Sequence, residues 1–270
     1  MAHNPHVALV TIENMMNQLL VLAAAGGFIS IYTGARPGVA GGGLNESNVL
    51  LVTLAMANPA FGYSSSGVST ANPITDGTAA AKGVPTWFRM FEADGVTPVM
   101  DGSAGHDSSY DLSLSVSEID PGIVVSITSF VVRQPIGSPF VDVAPGVANL
   151  MLNWIANYAN NGFIKVYSGT QAASADDAVP GGDVLLATLD LGNPAVDSIV
   201  DGEMAFSPIA PGYGLVNETP TWFRMYQSNG TTVLLDGSAG FGGEFDLLLG
   251  SAVISIGQEV QVASLVMIQN

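Results

Sequence analysis

Apolar residues near the start of the chain recur at the spacing of a helix, and the pattern returns 135 positions later. Positions that are apolar in both stretches follow one another at intervals that trace one face of an α-helix. They are Ile12/Val147, Met15/Leu150, Met16/Met151, Leu19/Trp154, Leu20/Ile155 and Ala23/Tyr158. Gly26-Gly27 and Asn161-Gly162 follow, and such residues are typical of helix ends. The pattern predicts an amphipathic helix over residues 7–25 and a second helix at its counterpart.

After each helix the hydrophobic period changes to two, which is typical of a strand with one buried face. Ile29 and Ile31 alternate around Ser30 in this way. Asp94-Gly95 and Asn229-Gly230 favour a two-residue type I′ turn, so residues 85–93 and 96–101 are predicted to form a β-hairpin. Further predicted strands cover 48–55, 183–190, one or two short stretches of 61–82, the alternation around 112–117, and the segment containing Val125 and Ile127.

One six-residue motif occurs twice, letter for letter. Pro-Thr-Trp-Phe-Arg-Met occupies residues 85–90 and again 220–225, an offset of 220 − 85 = 135. Asp-Gly-Ser-Ala-Gly follows at 101–105 and 236–240 with the same offset, and 270 residues are twice 135. We interpret the chain as a gap-free tandem duplication with domains 1–135 and 136–270, joined by a linker at 131–141. The predicted fold class is mainly β, with two tandem domains of β-sandwich or jelly-roll type, each preceded by one amphipathic α-helix.

Charge and composition exclude several functional classes. The formal net charge is −17, with only six lysines and arginines, so phosphate neutralisation and hence nucleic-acid binding are not expected. The chain has no cysteine, which excludes disulfides and thiolate metal sites. The start lacks a cationic signal-peptide region, and the apolar run 19–29 is well short of the ~20 residues that span a bilayer. We therefore expect a protein folded in a cytoplasm, with no membrane partner.

Few residues could support catalysis or metal binding. Ser103, His106 and Asp107 could be imagined as a triad, but no nucleophile-elbow sequence surrounds them, and Phe241 replaces His106 in the second copy. The Asp-Gly-Ser-Ala-Gly loops lack the lysine of a phosphate-binding loop, and we interpret them as turns that close the hairpin. Calcium could be held by Asp176, Asp177 and Asp183, or by Asp101, Asp107 and Asp111, although solvated loop acids are the favoured interpretation. We expect no enzymatic activity, no cofactor and no metal.

The arginines of the repeated motif are the charges of most interest, because bases are rare and these two occupy equivalent positions. Strand alternation places Trp87 and Arg89 on one face, and the same holds for Trp222 and Arg224. The favoured interpretation is an ion pair across the hairpin with Asp101 or Asp236, with the guanidinium beside the tryptophan. Alternatively, Trp87, Arg89, Trp222 and Arg224 are interface residues, since tryptophan and arginine are common at binding hot spots.

Taken together, these motifs resemble those of small virion proteins of tailed bacteriophages. The resemblance consists of a helix followed by Phe-Ile-x-Ile-Tyr-x-Gly, Leu-Leu-x-x-Leu, Trp-Phe-Arg, Asp-Gly-x-x-Gly and Asp-Leu-x-Leu. They stand at 28–34, 50–54, 87–89, 101–105 and 111–114, and again at 163–169, 185–189, 222–224, 236–240 and 246–249. The second copy departs from the first motif by having Val166 in place of its second isoleucine. The fusion of two units in one chain also differs from the resembled proteins.

The resemblance implies a non-enzymatic decoration, or cement, protein that binds the outer surface of a phage head and stabilises the shell. Its implied partners are the major capsid protein and copies of itself, as a homo-oligomer on the capsid of a virion assembled in the host cytoplasm. Two fused units would act as a covalent pseudo-dimer with raised avidity. The alternative is a tail- or fibre-associated virion protein, or a carbohydrate-binding module, which exposed Trp87 or Trp222 would favour. A hydrolase would need His106 in a cleft beside a serine.

Overall fold

The computed structural model describes residues 6–23, 26–133 and 142–268. The first part contains β1 (His6–Val7), α1 (Leu9–Ala23), β2 (Phe28–Tyr32), β3 (Leu50–Ala55), β4 (Val68–Thr70), β5 (Gly77–Thr78), β6 (Trp87–Phe91), β7 (Pro98–Gly105), β8 (Leu112–Leu114), β9 (Val124–Val125) and β10 (Ile127–Arg133). The second part contains β11 (Asp142–Val143), α2 (Pro145–Ala159), β12 (Phe163–Ser168), β13 (Val184–Asp190), β14 (Val196–Val200), β15 (Glu203–Phe206), β16 (Gly212–Tyr213), β17 (Trp222–Tyr226), β18 (Val233–Gly240), β19 (Leu247–Leu249), β20 (Glu259–Val260) and β21 (Val262–Ile268).

The predicted fold class is confirmed. Strands make up 40% and helices 12% of the described residues, and two curled sheets form half-barrels in two β-sandwich-like domains. One sheet has the strand order β3-β2-β6-β7-β8-β10-β4, and the other has the order β13-β12-β17-β18-β19-β21-β15-β14. Pairing is antiparallel except between β7 and β8 and between β18 and β19. The short ribbons β5-β9 and β16-β20 complete the two domains.

The chain divides into two compact units whose bounds differ from the sequence repeats. The first-repeat unit contains Met15–Met151, and the second-repeat unit contains Met1–Asn14 with Leu152–Gln269. The difference arises because β1 pairs with β18, His6 lying opposite Asp236, while β11 pairs with β7, Asp142 lying opposite Asp101. Each unit thus contains a short strand and the first part of a helix that come from the other repeat. We call residues 6–14 the first arm and 142–151 the second arm.

The sequence had suggested a gap-free duplication, but the structure shows that the two copies differ by one residue in length before the first strand. The sheets keep the offset of 135, since Trp87 corresponds to Trp222, but the helices begin at Leu9 and Pro145, which gives 145 − 9 = 136. A one-residue difference therefore lies between helix and first strand. The helical positions that correspond are Met15 with Met151 and Leu19 with Ile155, and all four are buried.

This shift explains where the predicted helical face was wrong. The sequence pairing matched Met15 to Leu150 and Ala23 to Tyr158, yet Leu150 and Tyr158 are both exposed. The predicted helix ends are supported, because Gly26 and Asn161 adopt positive φ angles of 82° and 56°. That left-handed conformation is the usual way to end a helix, and glycine and asparagine adopt it most readily.

The predicted hairpin is present as β6 and β7, but its turn is longer than the two-residue type I′ turn expected. Such a turn requires positive φ at both central residues, and only Gly95 has one, at 70°. Asp94 instead accepts hydrogen bonds from the backbone N–H groups of Val96 and Thr97, at 2.8 Å each. Its carboxylate therefore fixes a wider loop, and Asn229 does the same in the second copy.

The predicted linker 131–141 is only partly described. Its first residues, up to Arg133, belong to strand β10, and residues 134–141 lie outside the described part of the chain. The predicted short strands within 61–82 are β4 and β5. The core of each unit includes the aromatic pair of the repeated motif, Trp87 with Phe88 and Trp222 with Phe223, all of them fully buried.

Candidate functional site

In the first-repeat unit, the repeated motif forms a buried ion pair. Arg89 lies opposite Asp101 in the β6–β7 pairing, and its Nε and one terminal nitrogen donate to the two carboxylate oxygens at 2.7 Å each. This is the bidentate geometry that makes arginine–carboxylate pairs strong. Trp87 stacks on Tyr32 with ring centroids 4.5 Å apart, and the guanidinium carbon lies 5.4 Å from the Trp87 ring. The predicted ion pair and its tryptophan neighbour are therefore present.

The second-repeat unit builds the same cluster and adds contacts to it. Arg224 donates to one oxygen of Asp236 at 2.7 and 3.2 Å, and to the backbone oxygens of Asp177 at 2.7 Å and Ser174 at 3.3 Å. The other oxygen of Asp236 accepts from Gln171 at 2.8 Å. Arg224 therefore also holds the loop between β12 and β13.

The tryptophans of the two units differ in their hydrogen bonding. Trp222 donates its Nε1–H to Asp183 at 2.8 Å. The corresponding position in the first-repeat unit is Asn48, and among the described residues no acceptor lies within hydrogen-bond distance of Trp87 Nε1. A buried donor without a partner lowers the stability of the folded state, so Trp87 is expected to contribute less to stability than Trp222.

The four interface candidates face the interior of their units. Trp87, Arg89, Trp222 and Arg224 are each exposed by 6% or less. Their side chains contribute to the hairpin core and leave little surface for a partner. The exposed tryptophan that would favour sugar binding is thus absent at both positions of the repeated motif.

The first arm makes two contacts that no sequence motif had predicted. His6 forms part of β1 and places its Nδ1 3.3 Å from Asp236. The backbone N–H of Leu9, in the first turn of α1, donates to both carboxylate oxygens of Asp176 at 2.9 and 3.1 Å. A carboxylate at this place satisfies a free N–H and interacts favourably with the helix dipole.

At the start of the helix in the second arm, different residues remove the need for a carboxylate partner. Its helix begins at Pro145, which has no N–H to satisfy. The residue corresponding to Asp176 is Gly41, since 176 − 135 = 41, and it has φ 77°. A Cβ at Gly41 would lie 2.8 Å from Pro98 and 3.9 Å from Ala144 of the arm. Each arm is therefore matched to the loop of the sheet on which it lies.

The Asp-Gly-Ser-Ala-Gly segments lie within strands β7 and β18, so their interpretation as turns that close the hairpin was wrong. Ser103 donates its hydroxyl and its backbone N–H to Asp111 at 2.7 and 2.9 Å, and Ser238 donates to Asp246 at 2.7 and 2.8 Å. This contact joins β7 to the parallel strand β8, and β18 to β19. A Cβ at Gly105 would clash with the ring of Tyr110, so this glycine lets the ring pack on the backbone.

The three residues imagined as a triad are not brought together. Ser103 is bound to Asp111, and His106 contacts the backbone oxygen of Leu114 through Nδ1 at 3.1 Å. Asp107 binds the hydroxyl and N–H of Ser109, contacts that lower its pKa. His106 itself is exposed, so it has no cleft in which to act.

The two acidic sets considered for calcium are dispersed into other contacts. Asp101 pairs with Arg89, Asp111 binds Ser103, Asp176 caps α1 and Asp183 accepts from Trp222. Within the described ranges, no group of three or more histidines and acids is placed to hold a metal ion. The same ranges contain no helix long and apolar enough to cross a bilayer.

Burial raises the pKa of a tyrosine beside each arginine. The pKa of Tyr167 lies above its ordinary value because of desolvation first, then a hydrogen bond with Tyr226. Desolvation also raises the pKa of Tyr32, partly offset by a hydrogen bond with Ser30 and by Arg89. Hydrogen bonding to Asp101 raises the pKa of Arg89, so its guanidinium remains charged.

Compared with protein-family models, curated proteins and solved structures, the chain gives no match. Its function has therefore to be inferred from its own residues.

Sequence reasoning found the repeated cluster but missed the contacts around it. His6 at Asp236 and Leu9 at Asp176 depend on a strand from one repeat reaching the sheet of the other, and no local pattern encodes that. The hydrogen bond of Gln171 to Asp236 joins a loop to a distant strand of the same repeat and was likewise not predictable. The one available signal was the difference between the copies at Gly41 and Asp176, where a carboxylate stands opposite a helix start that has an N–H to satisfy.

Proposed function

We propose that the protein is a non-enzymatic decoration protein that binds the outer head surface of a tailed bacteriophage and stabilises the shell. The observation that carries this proposal is the motif set that resembles phage virion proteins and occurs in both halves. In each unit its residues serve the scaffold, as the buried Arg–Asp pair and the Ser–Asp contact between strands. A scaffold of this kind leaves the outer surface free to bind partners.

The surface of each unit contains recesses that the side chains of a partner can enter. Three of them, of about 200, 300 and 390 Å³, lie in one unit or the other. None of the three is lined by a histidine. The net charge of −17 suits the outside of a shell, away from packaged DNA. The proposed partners are the major capsid protein and, on the capsid, further copies of this chain.

Binding to heads tests the proposal directly. Purified protein is added to phage heads that lack it, and cryo-electron microscopy shows whether ordered density appears. We expect density in regular copies over the outer lattice, together with heads that resist heating better. Binding to isolated tails or to glycans, with bare heads, would contradict a head role and favour a tail- or fibre-associated protein.

A further inference from the structure

One corner of the second-repeat unit carries four exposed apolar side chains on two adjacent segments. Tyr213 and Leu215 lie on the first segment, and Val253 and Ile256 lie on the second; they are between 49 and 67% exposed. The segments run antiparallel, with Tyr213 opposite Glu259 and Glu218 opposite Ile254. Along the first segment Gly212 and Gly214 are buried, so Tyr213 and Leu215 both face outward. We call Tyr213, Leu215, Val253 and Ile256 the apolar corner.

The first-repeat unit provides an internal control for this surface, because the four positions that correspond to the apolar corner carry small or charged residues there. With the offset of 135, the corresponding residues are Thr78, Ala80, Glu118 and Pro121. Beside them Lys82 pairs with Glu118 at 3.4 Å and with Asp120 at 2.8 Å. The fold therefore does not require apolar side chains at this corner. Clustered exposed apolar residues that folding does not need are a feature of interaction surfaces.

A recess and a carboxylate next to the apolar corner indicate the chemistry of the partner. The recess of about 200 Å³ is lined by Ser251, Ile254, Gln258, Glu259 and Gln261, among others. Glu259 is exposed, and its counterpart in the other unit is Val124. The partner side chain that fits a polar recess containing a carboxylate is a basic one.

The charge of the unit disfavours a second copy of the chain as the partner. Lys165 and Arg224 are the basic residues of the second-repeat unit. Lys165 lies over the Tyr226 ring at 4.5 Å, and Arg224 is buried against Asp236. Another copy would bring a charge of −17 and few basic side chains to the contact. A different protein with a basic side chain amid apolar surface complements the corner better.

We infer that the apolar corner, with the recess at Glu259, is the surface through which the protein docks onto a partner protein whose contact is apolar and carries a basic side chain. This inference rests on the proposed function and identifies that partner as the head shell. It also makes the two units unequal, because the second-repeat unit makes the contact and the first-repeat unit does not make it through its corresponding corner.

The test compares two matched double variants of the full chain. Tyr213→Thr/Val253→Glu gives the corner the residues of the other unit, which that fold tolerates. Tyr63→Thr/Val96→Glu makes the same chemical changes at residues 97 and 76% exposed in the first-repeat unit. Co-sedimentation with heads that lack the protein measures affinity, and circular dichroism verifies folding. We expect the corner variant to bind at least about 30-fold more weakly and the control to bind like the wild type. Glu259→Gln is expected to reduce the salt dependence of binding.

Each outcome decides one question. Equal binding by the corner variant and the wild type overturns the inference and leaves the head role intact. A wild-type protein that does not bind heads overturns the head role, and the inference with it. Sedimentation of the free proteins, without heads, is the third measurement. If the wild type self-associates and the corner variant does not, the corner is an interface between copies, and the assignment to the shell is wrong.

Discussion

At the scale of single residues, each unit contains two opposite charges that are removed from water together. Arg89 and Asp101, like Arg224 and Asp236, satisfy one another in the interior. Replacing a buried pair by apolar side chains is often nearly neutral, whereas removing one partner leaves an uncompensated charge. The pair therefore contributes little net stability over an apolar alternative, yet neither member can be changed alone.

This asymmetry predicts the behaviour of single and double variants. We expect Asp101→Asn to lower the free energy of unfolding of the first-repeat unit by about 3–5 kcal/mol. Arg89→Met/Asp101→Leu should lie within about 2 kcal/mol of the wild type, because no charge remains buried alone. Urea denaturation followed by tryptophan fluorescence measures both. A double variant as unstable as the single one would show that the pair is needed for more than mutual neutralisation.

The two tryptophans of the repeated motif provide a second matched pair. Trp222→Phe and Trp87→Phe remove the same atoms from buried sites, but only Trp222 donates to a carboxylate, that of Asp183. We expect Trp222→Phe to cost about 1–3 kcal/mol more than Trp87→Phe. Hydrogen-exchange mass spectrometry, which resolves the two units, measures the difference. Equal costs would mean that the Asp183 hydrogen bond contributes nothing net.

The raised pKa of Tyr167 predicts a loss of stability in alkali. In the unfolded chain this phenol ionises near its ordinary pKa of 10.0, whereas in the folded protein the pKa is higher. Its contribution is therefore complete below pH 10 and is lost as pH rises further. Urea midpoints between pH 8 and 11.5 should fall less steeply for Tyr167→Phe than for the wild type. Tyr63→Phe, at an exposed position, is the control and should keep the wild-type slope.

The cluster around the buried ion pair could be predicted from the sequence, because its residues are close together in the chain. Trp87, Arg89 and Asp101 lie on two strands of one hairpin, so strand alternation places them together. The hydrogen bond of Trp222 to Asp183 could not be predicted, because it joins strand β17 to a distant loop residue.

At the scale of elements, the start of helix α1 depends on a loop of the second repeat. Asp176 accepts the Leu9 N–H in a role that a local N-cap residue fills in most helices. The helices themselves were predictable from their 3.6-residue period. Their register between copies was not, since a one-residue difference before the first strand changes which positions correspond.

Two neighbouring aspartates allow this cap to be tested. Asp176→Ala is expected to lower the stability of the second-repeat unit by about 1 kcal/mol. Asp177→Ala removes the same charge one residue away and preserves the backbone oxygen that binds Arg224, so it should change stability little. Urea midpoints of the two variants are compared at equal ionic strength. Equal effects would attribute the change to net charge rather than to the cap.

At the scale of the whole molecule, the exchange of arms was beyond sequence reasoning. The repeats are so alike that β1 could be assigned to the β7 or to the β18 edge by pattern alone. The choice depends on matched features such as the Leu9 N–H bound by Asp176 and the close approach of Ala144 to Gly41. The fold class, in contrast, follows from strand periods that each repeat carries by itself.

The exchange predicts that an N-terminal truncation acts on the C-terminal repeat. Removing residues 1–8 deletes β1 and the contact of Ala8 N–H with the Leu234 oxygen, 3.0 Å. We expect hydrogen-exchange protection to fall in β18 and its neighbours and to persist in the strands of the first-repeat unit. Protection lost first in β7 would instead place the arm on its own repeat.

The pairing of β1 with β18 also sets an order of events during synthesis. His6 leaves the ribosome early, but its partner Asp236 is made 236 − 6 = 230 residues later. At typical elongation rates this delay is roughly 10–50 s. The first-repeat unit has all its residues once Met151 has emerged, so it can fold while the first arm is still unpaired. A nonsense codon between residues 152 and 236 would release a chain in which the first-repeat unit is complete but the first arm lacks β18, the strand with which it pairs.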